Sequence, residues 1–150
     1  LLAKSYSHLD VDLIDISQHA LEVARINIEK HNLQKRVAAI QSNLFEHCQK
    51  KYDLIVTNPP YVNANAMTKL PSEYQKEPQL ALASGEDGLD LTRIIIKNAK
   101  KYLNGSGKIF IEIGHNRDVV DEVFTDLNLW WVDTESGSDY IFMLEKDDLP

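Results

Sequence analysis

The chain has 150 residues, 43% hydrophobic and 26% charged, enough for one domain with a substantial core, and it contains no low-complexity tract. Its formal net charge of −7 argues against a nucleic-acid-binding surface, which normally carries a basic footprint, and no apolar run approaches a membrane span. The single cysteine, Cys48, excludes an internal disulfide and a cysteine-based zinc site, and it fits a reducing cytoplasm.

Leu1-Leu2-Ala3-Lys4-Ser5-Tyr6 reads as the last turns of a helix with neither an initiator Met nor a cap before it, so sequence upstream is expected. Val11 to Ile16 is a short strand ending at the acidic Asp15. Ser17 caps a helix from Gln18 to about His31, with Ala20, Leu21, Ala24 and Ile28 on one face and Asn32 as its stop. Val37 to Ile40 is the next strand, closing on Gln41-Ser42-Asn43, and Tyr52 to Thr57 is the third. Residues 61–88 form a long segment rich in Pro, Glu and Gly, of the length that usually carries function or is disordered. A helix from Leu89 to Leu103 follows, with Leu91, Ile94, Ile95 and Ala99 inward, stopped by Asn104-Gly105. Lys108 to Ile113 is a strand, and Asn116 to about Asn128 a helix burying Val119, Val120, Val123, Phe124 and Leu127. Leu129 to Thr134 and Tyr140 to Leu144 are strands joined by a hairpin-type turn. Alternating strands and helices predict an α/β fold, mostly parallel, with one antiparallel strand from the terminal hairpin. With no internal repeat and no visible boundary, residues 1–150 read as one domain.

Three strand ends carry polar groups, Asp15, Asn43 and Asn58, and ligands of open α/β sheets bind beyond the carboxyl ends of strands. Asn58-Pro59-Pro60-Tyr61 is the most distinctive. Its prolines fix φ twice and remove two donors, leaving carbonyls free to accept, while Asn58 adds a carboxamide and Tyr61 a ring. That is a socket for a planar –NH2 group. An ionised Asp15 is acceptor-only and suits the two hydroxyls of a ribose, and the Asn43 amide could meet an adenine edge. Each feature also has a plainer reading: a proline-rich turn, a surface acid beside a helix cap, a turn asparagine. His31, His47 and His115 read as solvated or structural, and Glu112 as a buried structural hydrogen-bonding group within an apolar strand.

Asp15-Ile16-Ser17, Ser42-Asn43-Leu44-Phe45-Glu46 and Tyr52 to Tyr61 together resemble the consecutive motifs of class I S-adenosylmethionine-dependent methyltransferases. Asn-Pro-Pro-Tyr is similar to the loop of those that methylate a planar amine or amide nitrogen. The run from Leu70 to Asp90 resembles the protein glutamine methyltransferases (the HemK-like group), and within it the PrmB branch, which modifies a large-subunit ribosomal protein. The sister branch modifies peptide-chain release factors. The resemblance implies a Rossmann-like class I methyltransferase sheet whose first strand and glycine-rich loop lie before Leu1, so that the chain is the C-terminal catalytic portion of a longer enzyme. It implies S-adenosyl-L-methionine as cofactor, bound by Asp15, Ile16, Asn43, Leu44 and Asn58. The family usually has Asp where this chain has Asn43. It also implies a glutamine amide held by Asn58 and Pro59, walled by Pro60 and Tyr61, under a lid shaped by Glu77 and Pro78.

An amide nitrogen is a weak nucleophile because its lone pair is delocalised into the carbonyl. Two acceptors, the Asn58 side chain and the Pro59 carbonyl, could each take one N–H and aim the nitrogen at a methyl donor. The proton can leave after transfer, so no strong base is required and no metal is expected. The expected partner is a ribosomal protein, or alternatively a release factor, in the cytoplasm, with neither membrane nor direct nucleic-acid binding. The competing readings are a nucleic-acid amino-methyltransferase acting on adenine or guanine, and a non-catalytic remnant. Without its first strand the sheet would have open edges, so the isolated chain is expected to form a homo-oligomer or to be unstable.

Overall fold

The computed structural model describes residues 1–62, 84–135 and 137–150. The chain falls into two compact units, Leu1–Gln49 and Lys50–Pro150, whose junction is polar and carries no Pro or Gly. Among the described residues, no helix is long and apolar enough to cross a membrane.

The first unit is built from α1 (Leu2–Ser5), β1 (Val11–Asp15), α2 (Gln18–Lys30) and β2 (Val37–Gln41). β1 and β2 pair in parallel, from Val11 beside Val37 to Asp15 beside Gln41. The Ser17 hydroxyl accepts the Ala20 N–H at 3.3 Å and so caps α2, as its place before the apolar stripe predicts. The far end closes in a Schellman motif: Asn32 takes a left-handed φ of 56°, its N–H reaches the Glu29 carbonyl, and the Leu33 N–H reaches that of Ile28. Asn tolerates that conformation better than other side-chain-bearing residues, which is why Asn32 stops the helix. Leu21 is fully buried and Ala24 and Ile28 are half-buried, whereas Ala20, expected inward, is exposed at the first turn. Arg36 ties α1 down by donating to the carbonyls of Ala3, Leu9 and Tyr6 at 2.7, 2.8 and 3.3 Å.

The second unit contains β3 (Tyr52–Thr57), α3 (Asp90–Ala99), a 3-10 turn (Lys100–Tyr102), β4 (Leu103–Glu112), α4 (Arg117–Val123), β5 (Trp130–Trp131) and β6 (Ile141–Glu145). Its sheet runs β3-β4-β6-β5, with β3 parallel to β4 and β6 antiparallel to both its neighbours. Ile109, Ile111 and Ile113 alternate along the β4 segment as fully buried residues, the period-two signature of a strand packed on one face. From α3 the buried set is Thr92, Ile95, Ile96 and Ala99, spaced i, i+3, i+4, i+7.

That stripe differs from the expected one, because Ile94 is 46% exposed and Leu91 only half-buried. Three consecutive isoleucines satisfy helical spacing in two rotations, and packing selects the one containing Thr92 and Ile96. Leu103 to Gly107 also depart from expectation: they form an irregular start to β4, with the register slipping between Tyr52 and Leu54. The Asn104 amide anchors that start by donating to Asp53 Oδ1 at 2.7 Å. α4 ends at Val123, which is 37% exposed, and β5 has only two residues, so both elements are shorter than predicted. Glu112 is half-buried and makes no side-chain hydrogen bond among the described residues, contrary to the expected structural bond.

Candidate active site

In the first unit the parallel register brings the ends of β1 and β2 side by side. The Ser42 N–H continues the ladder to the Asp15 carbonyl at 3.0 Å, so Asn43 and Leu44 follow directly from a strand end adjacent to Asp15 and Ile16. Asp15 Oδ1 accepts the Ser17 N–H at 2.7 Å, which fixes the carboxylate at the mouth of α2. Among the described residues its second oxygen takes no hydrogen bond, leaving acceptor capacity for a hydroxyl pair. The Gln41 side chain donates to the Ile16 carbonyl at 3.3 Å and steadies the same corner. Sequence reasoning did not single out Gln41, and only the register reveals it.

Asn43 is exposed, and its Nδ2 donates to Glu46 Oε1 at 3.0 Å. The amide therefore offers its oxygen outward, while its nitrogen serves the turn. Leu44 adopts a left-handed φ of 50°, and the buried Ser42 hydroxyl accepts the His47 N–H at 2.9 Å, so the turn is tied on both sides. His47 Nδ1 lies 2.7 Å from the Gln41 carbonyl, a structural setting of the kind expected for that histidine. A carboxylate fixed at one strand end, with an amide oxygen beyond the next, is a pair of acceptors suited to the hydroxyls and exocyclic amine of a nucleoside.

In the second unit β3 runs as far as Thr57, paired with Ile111, and delivers Asn58 one residue beyond the ladder. Asn58 is exposed, Pro59 is buried, and Pro60 and Tyr61 are half-buried. The Asn58 carboxamide makes no hydrogen bond among the described residues, so both its acceptor and its donors face outward chemistry. Asn116, at the start of α4, donates Nδ2 to the Tyr61 carbonyl at 2.7 Å, and the Ser84 N–H reaches the Val62 carbonyl at 3.1 Å. Gly88 sits at φ +84°, where an added Cβ would lie 2.3 Å from the Tyr61 carbonyl oxygen. At Gly114, φ +54°, a Cβ would lie 2.5 Å from the Tyr61 ring. Neither position admits a side chain.

The turn that brings Gly88 there is held by Asp87. Its Oδ1 accepts the Leu89 N–H at 2.9 Å and Arg93 Nη1 at 3.0 Å, and Arg93 Nη2 closes a bidentate pair on Oδ2. The Arg93 hydrogen bond holds the Asp87 carboxyl at about 2, below its ordinary 3.8, with the Leu89 N–H adding to the effect. Asn116, Gly88, Gly114 and the Asp87–Arg93 pair were not identified as site residues from sequence. Glu77 and Pro78, expected to shape a lid, lie outside the described residues.

Each unit, taken by itself, ends a parallel strand in a polar group, an acidic corner after β1 and a proline-fixed carboxamide loop after β3, and strand ends of this kind are where open α/β sheets bind ligands. Residues 1–85, more than half of the chain, match the Methyltransferase small domain, and the chain belongs to that family. It is 47% identical over 148 residues to the ribosomal protein uL3 glutamine methyltransferase of Neisseria gonorrhoeae, covering 99% of this chain and 50% of that protein. The uL3 glutamine methyltransferase of Bordetella pertussis is 46% identical over 150 residues, with 99% of this chain and 50% of that protein covered. The chain thus spans about half the length of the curated relatives it matches. A methyltransferase structure from Pyrococcus furiosus superposes with a TM-score of 0.66 at 17% identity, covering 97% of this chain and 66% of that one. The fold is of the class I methyltransferase type, as the motifs imply, with parallel β1–β2 and β3–β4 pairs and β6 as the antiparallel strand.

Proposed function

We propose that this chain is the catalytic portion of an S-adenosylmethionine-dependent protein glutamine N-methyltransferase whose acceptor is a side chain of the ribosomal protein uL3. The observation that carries this reading is the exposed Asn58 carboxamide on a proline-fixed loop at the end of β3. The names of the relatives at 46–47% identity supply the acceptor.

Asp15 would accept from the ribose hydroxyls of the cofactor, with Ile16, Asn43 and Leu44 about its nucleoside and Asn58 toward its reactive end. When bound, the cofactor supplies an electrophilic methyl group on a sulfonium. The Asn58 Oδ1 and the Pro59 carbonyl would each accept one N–H of the glutamine amide, so that the nitrogen is oriented and its N–H bonds are polarised. Pro60 and Tyr61 would wall the amide on a loop with few soft dihedrals. The surplus proton departs to solvent after the new N–C bond has formed, which is why no general base is needed. Glu77 and Pro78 would cover the acceptor. A ribosomal-protein acceptor puts the reaction in the cytoplasm.

The test is methyl transfer from labelled S-adenosylmethionine to purified uL3, followed by mapping of the modified residue, with Asn58→Ala as control. We expect one methyl on a glutamine and a strong loss in the variant. Label in a release factor would move the acceptor to that class. Label in RNA or DNA with none in protein would overturn the glutamine assignment, and cofactor binding without transfer to any acceptor would mark a non-catalytic chain.

A further inference from the structure

We propose that Asn116 is a positioning residue: its side-chain amide fixes the Tyr61 carbonyl and thereby holds Asn58 and Pro59 in register for the methyl transfer proposed above, on which reading this inference rests. Asn is among the preferred residues for capping a helix N-terminus with its own side chain. Asn116 occupies that place at the head of α4, yet makes no side-chain cap bond. Its Nδ2 donates instead to the carbonyl of Tyr61 at 2.7 Å, across 55 residues of sequence. The backbone of Asn116 is itself anchored, its carbonyl accepting the Val120 N–H at 3.0 Å. The donor therefore projects from a fixed helix start.

The loop it reaches is already restrained. Pro59 and Pro60 fix two successive φ angles, so a displacement at Tyr61 passes back toward Asn58 through few soft torsions. The next carbonyl, that of Val62, accepts from Ser84 N–H at 3.1 Å, and the buried Ser84 hydroxyl accepts the Leu91 N–H at 3.0 Å. Gly88 and Gly114 leave room for Tyr61 alone: an added Cβ at Gly88 would also come within 3.2 Å of Asn116 Nδ2. Two adjacent carbonyls are thus held by donors from two different segments, and only the Asn116 donor is a side chain that mutation can remove without shifting the backbone.

Asn116→Asp in the full chain is the decisive variant, because an ionised Asp has the same shape but only acceptors, and would face the Tyr61 carbonyl with no donor. We expect kcat on the glutamine acceptor to fall by roughly 10- to 100-fold, more than KM rises, with Asn116→Gln recovering part of the loss through its retained amide. Hydrogen exchange, read without any acceptor, should show faster exchange of the Ser84 and Leu91 amides and unchanged exchange at Ile109 and Ile111. Wild-type turnover in Asn116→Asp, or unaltered Ser84 exchange, would overturn the proposal. If the wild-type chain methylates no glutamine, the functional reading fails, while the exchange comparison still decides whether Asn116 anchors the loop.

Discussion

The carboxylate of Asp15 accepts the backbone N–H of Ser17 at 2.7 Å, so the residue proposed to meet the ribose also supports the first turn of α2. The two roles can be separated. Asp15→Asn keeps an oxygen for the Ser17 N–H but loses the charge and half of the acceptor capacity, whereas Asp15→Ala loses both. Hydrogen bonds to a charged group contribute about 1.5–3 kcal/mol each. We therefore expect Asp15→Ala to weaken S-adenosylhomocysteine by roughly 100-fold in a calorimetric titration, with Asp15→Asn intermediate. Equal affinity in all three proteins would remove Asp15 from the cofactor site.

The Asn58 side chain is exposed and makes no hydrogen bond among the described residues, so its truncation should leave folding almost untouched, within about 0.5 kcal/mol. Its loss should be felt in turnover instead. Deleting one preorganised group at a reacting centre commonly costs about 100- to 1000-fold in kcat, and Asn58→Ala is expected in that range. A variant that melts with the wild type and transfers methyl groups at an undiminished rate would show that the socket is made by the backbone alone.

Some of this was legible before any coordinates. Ser17 and Asn32 declare themselves as cap and stop of α2, and Asp15 and Asn58 as polar strand ends, because each sits where a period of apolar residues breaks. The α3 stripe was only partly legible, since the run Ile94-Ile95-Ile96 fits two helical rotations and the choice depends on the face of β4 beneath it. Asn116 was invisible as a site residue for the opposite reason. Local rules assign an asparagine before a helix to its own cap, and its actual acceptor, the Tyr61 carbonyl, is set by tertiary packing. Asn43 shows the same limit: its polarity was evident, but not that Glu46 would engage its nitrogen.

The Asp87–Arg93 pair predicts a pH effect. Its folded-state carboxyl titrates at about 2 against an ordinary 3.8, so the unfolded chain binds more protons between those values. The pair's contribution is complete above about pH 4 and is lost as the pH falls toward 2. With the Arg93 and Asp87 side chains 39% and 33% exposed, solvent screening reduces that contribution to about 1 kcal/mol. Urea midpoints of the wild type and Asp87→Asn should therefore differ at neutral pH and converge as acid is added. A gap independent of pH would mean that the Asn variant loses packing or geometry rather than a charge-assisted bond.

Gly88 carries the last prediction. A side chain there would meet two penalties at once, a φ of +84° that L residues rarely adopt and a Cβ only 2.3 Å from the Tyr61 carbonyl oxygen. The obstacle is backbone, so it cannot rotate away. Strain of this type costs about 1–3 kcal/mol, and displacing the Tyr61 carbonyl would also disturb its bond from Asn116, adding about 1 kcal/mol. Gly88→Ala should accordingly lower the denaturant midpoint and depress methyl transfer together, since the same shift reaches Asn58 and Pro59. Asn116→Asp combined with Gly88→Ala should lose less than the sum of the single losses, because both act on one carbonyl. Full additivity in that double-mutant cycle would show that Gly88 and Asn116 constrain the loop independently.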